Sequence, residues 1–218
     1  MSIRDWMIGK LREDSKQVEP LGDHGLLVRR PARPDAVAYC VEPDSQTPFT
    51  AAALRAAIGE QPGTRMVIVT RRLVDPDVYE EARRLDVAVE TFGGFRRAVD
   101  DCDDISRYTH RDEDYLHRRL YATRAVKELR RCGHRAWQII RHDPLAPLTI
   151  VIHDRYELTD DDFGRVLADY PKLDLDAFVI TNPSAQGFGT RVVNSARRAG
   201  VPICTLEDFL HKIREPWT

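Results

Sequence analysis

Short uninterrupted apolar runs alternate along this chain with longer amphipathic stretches. The runs MVIVT (66–70), VAVET (87–91), TIVIH (149–153), FVIT (178–181) and VPICT (201–205) lack polar alternation, the pattern of strands buried on both faces beneath helices. Between them lie segments with helical start chemistry. Thr50 and Thr159 are placed as helix N-caps, one helix starts at Asp75 with Pro76 at its first position, and another starts near Thr190. A last short helix begins near Phe92 and again near Glu207. SIRDWMIGKLRED (2–14) opens the chain as a helix, and DEDYLHRRLYATRAVKELRRCG (112–133) reads as one long helix with Leu116, Leu120, Val126 and Leu129 on one stripe and Gly133 as its C-cap.

The pattern occurs twice. At an offset of 114 residues, EARRLDVAVETFGGFRRAV (81–99) aligns with SARRAGVPICTLEDFLHKI (195–213), matching Ala82 with Ala196, Thr91 with Thr205 and Phe95 with Phe209. Upstream, residues 67–70 fall on 178–181 at an offset of 111, so the indel lies in a loop. AVAYCVEP (36–43) corresponds to LTIVIHDR (148–155), and FTAAALRAAI (49–58) to LTDDDFGRVL (158–167). This predicts an α/β chain of two tandem related lobes, each a mixed, largely parallel sheet flanked by helices. The lobes span 1–104 and 110–218, with the acidic run 100–114 as the joint.

Composition narrows the picture. With 42% hydrophobic and 31% charged residues over 218 positions, the chain has enough apolar material for real cores. No apolar run approaches the roughly 20 residues needed to cross a bilayer, and the N-terminal stretch lacks signal-peptide character. A cytoplasmic protein without membrane association is expected. The four cysteines follow no CxxC spacing, so neither a zinc site nor a disulfide framework is predicted. The net charge of −2 excludes a globally basic nucleic-acid binder, although 28 of the 33 basic residues are Arg, often in pairs suited to phosphate.

A helix, a β-meander, then helix, strand, helix, strand is an order that resembles the restriction-endonuclease-like (PD-(D/E)xK) fold, in particular its Mrr-type branch. GDHGLLV (22–28) sits where that branch has G-x-G-G-x-D-[IV], YCVEP (39–43) where it has a strand ending in [QE]-x-K, and IVTRRLVDPDVYEEARRLDVAVET where it has an IVT strand, an A-x-x-x-A helix and a closing strand. The resemblance covers the first hundred residues, and the second lobe is a more eroded copy. It implies a nuclease whose acids hold Mg²⁺ against a phosphate and whose Lys serves the attacking water. Here Leu27 stands in place of the Asp, Cys40 in place of the Glu/Gln, and Glu42 in place of the Lys. Leucine cannot bind Mg²⁺, and a thiol is a poor ligand for so hard a cation.

The expectation is therefore a catalytically inactive nuclease-like protein, with no catalytic residue favoured and no metal or cofactor. It would act as a binding or assembly subunit of a nucleic-acid-related system of restriction or antiviral defence type. A protein partner or nucleic acid is expected, with either a homo-oligomer or an internal pseudo-dimer. One alternative is a Mg²⁺-dependent nuclease with relocated ligands: Asp143, Asp154 and Glu157, helped by His142, in the second lobe, or Asp23, Asp35 and Glu42 in the first. The other is a nucleotide or phosphate sensor using the loop before the helix near Thr190. Asn182, Ser184, Gly187, Gly189, Thr190 and Arg191 are its candidate phosphate contacts, because backbone N–H groups and the helix dipole favour an anion there. His153 and Asp154 otherwise read as polar residues ending a strand.

Overall fold

The computed structural model describes residues 2–185 and 187–217. The chain divides into two compact units, Met1–Thr109 and His110–Thr218. In the first, α1 (Ile3–Glu13) precedes β1 (Gln17–Leu21), β2 (Gly25–Arg29) and β3 (Ala36–Val41). There follow α2 (Ala51–Glu60), β4 (Met66–Val69), α3 (Asp77–Arg84), β5 (Ala88–Glu90) and α4 (Phe92–Asp101). The second unit repeats this order with α5 (Arg111–Ala122), β6 (Val126–Arg131), β7 (Ala136–Arg141), β8 (Leu148–His153) and α6 (Asp160–Ala168). It closes with β9 (Ala177–Ile180), α7 (Thr190–Ala199), β10 (Ile203–Thr205) and α8 (Leu206–Lys212).

Each unit holds one five-stranded sheet, ordered β1-β2-β3-β4-β5 and β6-β7-β8-β9-β10. The first two pairings of each sheet are antiparallel and the last two parallel. The sheets are thus evenly mixed rather than largely parallel, because two hairpins open each one. Helices cover both faces. On β3, Ala36, Ala38 and Cys40 join the core under α1 and α4, while Tyr39 and Val41 join the one under α2 and α3. On β8, Leu148, Ile150 and Ile152 pack beneath α5 and α8, and Val151 faces α6 and α7. This two-sided burial accounts for the unalternated apolar runs.

Local chemistry repeats with the topology. Thr50 and Thr159 accept N–H bonds from Ala53 and Asp162, and Thr91 and Thr205 accept them from Gly94 and Asp208, so all four threonines cap helices. Asp86 and Gly200, at the same offset of 114, both take a left-handed backbone just beyond a helix. The following residues, Val87 and Val201, donate back to Ala82 and Ala196 (3.0 and 3.1 Å).

Two buried arginines also correspond. Arg30 donates to the carbonyls of Val99, Cys102 and Asp103 at the end of α4, and Arg141 to those of Ile213 and Glu215 beyond α8. Each cation satisfies carbonyls that a helix end leaves without intrahelical partners, at the negative pole of the helix dipole.

Three further sequence expectations need correction. The stretch 112–133 is not one helix: α5 ends at Ala122, Arg124 turns left-handed (φ 58°), and Val126–Arg131 pairs with β7 as an edge strand. Its charged residues tolerate the solvent-facing side of that edge. Gly133 lies in the β6–β7 hairpin, where a Cβ would come within 2.4 Å of the Tyr170 ring. The helix expected from Asp75 starts at Asp77, with Pro76 as its N-cap. The acidic run 100–114 is more than a joint, since Ile105 and Tyr108 are 1% and 8% exposed within the core beneath α1 and α4. Among the described residues no helix is long and apolar enough to cross a membrane.

Candidate functional site

The three first-unit positions compared with a nuclease site do not converge. Leu26 and Val28 share the core with Cys40, so Leu27, between them on β2, projects from the opposite face of the sheet. Cys40 is fully buried, and burial pushes its thiol up to about 12. Glu42, just past β3, receives the Ile3 N–H on both carboxylate oxygens (3.2 and 3.4 Å) and so caps the start of α1. Asp35 is bound by Arg29 (2.6 Å), which holds its carboxyl below the usual range, together with the Arg30 N–H. Asp23 is exposed in the β1–β2 turn.

In the second unit Asp143 precedes β8 and Asp154 follows it, with residues 144–147 and the six-residue strand in between. At a rise of roughly 3.3 Å per residue, the strand alone separates them by more than about 15 Å, beyond the span of a shared metal ion. Glu157 is exposed on the loop after β8. Among the described residues no group of three or more His, Cys, Asp or Glu is placed to hold a metal. The donor set therefore does not fit the Mg²⁺ centre of the nuclease alternative.

Asp154 has a different partner, Asp112 in the first turn of α5. Burial, and then the charge and hydrogen bond of Asp112, raise the Asp154 carboxyl above its ordinary value; Arg135 and His110 oppose this. His110 accepts the Asp112 N–H at its Nδ1 (3.3 Å) and lies 3.2 Å from the Asp112 carboxylate.

Next to Asp154, a cleft of about 400 Å³ opens at the carboxyl end of β8. The β6–β7 hairpin forms one wall with His134 and Arg135, and the end of α6 forms the other with Asp169 and Tyr170. His153, Asp154 and Arg155 make the floor. Gly133 lets Tyr170 lie against the hairpin, and the Arg135 N–H donates to the Tyr170 hydroxyl (2.9 Å), tying the walls together. His153 is 9% exposed and its Nε2 finds no hydrogen-bond partner. Burial, then the charge of Arg135, hold its imidazole below the ordinary value; Asp162 opposes them, and Arg155 adds a smaller push in the lowering direction. Burial also raises the Asp169 carboxyl, at the C-cap of α6.

The loop before α7 offers less. The Ser184 N–H donates to Asn182 Oδ1 (2.9 Å) and the Ala185 N–H to the Asn182 carbonyl (3.2 Å), so Asn182 serves its own turn. Gly187 is left-handed (φ 84°), Gly189 is the N-cap of α7 without a side-chain cap, and Thr190 and Arg191 are exposed in the first turn. Gln186, within this loop, lies outside the described residues. Of the sequence candidates, only Asp154 borders the cleft. Arg135, Asp169, Tyr170 and the Asp112 pairing have no motif spacing; only His153-Asp154 at a strand end hints at them. No family model matches the chain, and comparison with curated proteins and with solved structures gives no match.

Proposed function

We propose that the chain is a catalytically silent, nuclease-like protein of two tandem lobes that serves as a binding or assembly subunit in a nucleic-acid-related system. The observation that carries this reading is the fate of the positions where the resembling fold keeps its metal ligands. Leu27 and Cys40 project from opposite faces of the sheet, and Glu42 caps α1. The second lobe does not compensate, because Asp143 and Asp154 stand at opposite ends of β8. The repeated element order supports a duplicated lobe, and the resemblance alone supports a restriction or antiviral setting.

The test is incubation of the purified chain with plasmid, single-stranded DNA and RNA in Mg²⁺ and in Mn²⁺. The expected outcome is no cleavage above buffer, with retarded migration of at least one nucleic acid that weakens steeply with salt as phosphate contacts are screened. Metal-dependent cleavage lost in Asp154→Ala would overturn the silent reading.

A further inference from the structure

The cleft at the carboxyl end of β8 brings together two kinds of unsatisfied chemistry. The basic groups are Arg135, Arg155 and the buried His153, whose Nε2 has no partner. The acidic groups are Asp154, set against Asp112, and Asp169, at a helix C-terminus where a negative charge is disfavoured. An anion beside the arginines and hydroxyl donors beside the acids would relieve both.

We propose that this cleft binds the ribose and terminal phosphate of a nucleotide, with Arg135, Arg155 and His153 on the phosphate and Asp154 and Asp169 on the ribose hydroxyls. Two guanidinium groups match a phosphomonoester, which carries close to two negative charges, better than a carboxylate, which carries one, and the neutral imidazole adds an N–H donor. Carboxylates accept hydrogen bonds from vicinal hydroxyls without needing a counter-charge. The volume of about 400 Å³ falls within the usual range of small-ligand sites and takes a sugar phosphate. Apart from Val166 and the Tyr170 ring, the lining residues are His, Arg and Asp, so recognition centres on the sugar phosphate. Either a free mononucleotide or the phosphorylated end of an RNA strand presents this group.

The inference deepens the proposed function by naming the group bound and the lobe that binds it. Calorimetric titration of the full chain with AMP, adenosine, dAMP, inorganic phosphate and a short RNA with or without a terminal phosphate tests it. AMP or the phosphorylated RNA is expected to saturate the protein, and whichever binds more tightly identifies the source. Adenosine should bind at least about tenfold more weakly, the loss expected when charge-assisted hydrogen bonds disappear. Arg155→Gln, at an exposed position that leaves the core intact, should weaken the phosphate ligand by a similar factor, and Asp169→Asn should abolish the preference for AMP over dAMP.

Inorganic phosphate binding as tightly as AMP, unchanged affinity in both Arg155→Gln and Arg135→Gln, or no saturation by any phosphate probe at millimolar concentration would each overturn the assignment. The two proposals fail separately. Cleavage of RNA with AMP binding intact would sink the silent reading and keep the cleft; retardation of RNA without any nucleotide binding would do the reverse.

Discussion

Two histidines of the second unit sit in places that disfavour their charged form. His117 on α5 meets Trp137 edge-on (ring centroids 4.4 Å apart, 86° between planes), and burial holds its imidazole low, helped by Arg131 and opposed by Asp114. His153 is lowered in the same direction and first by the same cause. In both, the folded-state value lies below the unfolded one, so as pH falls the unfolded chain takes up protons first. Stability contributed by the neutral rings is intact above about pH 6.5 and is lost as pH drops below it, by at most about 1.4 kcal/mol per pH unit for each group. Chemical denaturation between about pH 8 and about pH 5 should show this decline, and His117→Phe, which keeps a ring against Trp137, should flatten it. An equal slope in the variant would remove His117 from the account. At this scale the sequence is partly readable. His153 and Asp154 stand out as polar residues ending an apolar run, whereas Asp112 looks like an ordinary acid at a helix start. Its meeting with Asp154 depends on tertiary packing, which no spacing encodes.

Strands and helix caps are legible because their signals are local: apolar runs for the strands, threonine three residues before its N–H donor for the caps. The stretch 112–133 is not, since Leu116, Leu120 and Val126 continue a helical stripe past the left-handed Arg124, and only pairing with β7 makes a strand of Val126–Arg131. The left-handed turns behind α3 and α7 are the same device built from different residues, Asp86 in one copy and Gly200 in the other. A non-glycine residue is strained in that conformation by roughly 1 kcal/mol, and glycine is not. Asp86→Gly should therefore leave stability unchanged or raise it by up to about 1 kcal/mol, less the loss of the Asp86 ion pairs with Arg65 and Arg107. Gly200→Ala should lower stability by about 1 kcal/mol. Denaturant midpoints of the two variants check the contrast, and a stable Gly200→Ala would mean that the second turn tolerates a side chain for a reason other than its backbone.

The repeated element order is visible in the whole molecule because order and offset survive where side chains do not, and the two buried arginines and the paired left-handed turns extend the repeat to details with no sequence motif. The limit between the units is harder to place. An acidic, polar run suggests a joint from residue 100, yet Ile105 and Tyr108 within it are packed beneath α1 and α4. Burying two such side chains contributes roughly 3–6 kcal/mol, a large share of the stability of a domain of this size. Because the first unit covers both faces of its own sheet, a fragment ending at Thr109 is expected to fold cooperatively by circular dichroism and thermal melting. A fragment ending at Asp104 should be destabilised by several kcal/mol or fail to fold. Equal melting temperatures for the two fragments would show that the short segment 105–109 decorates the unit, and the limit would then belong where the acidic run begins.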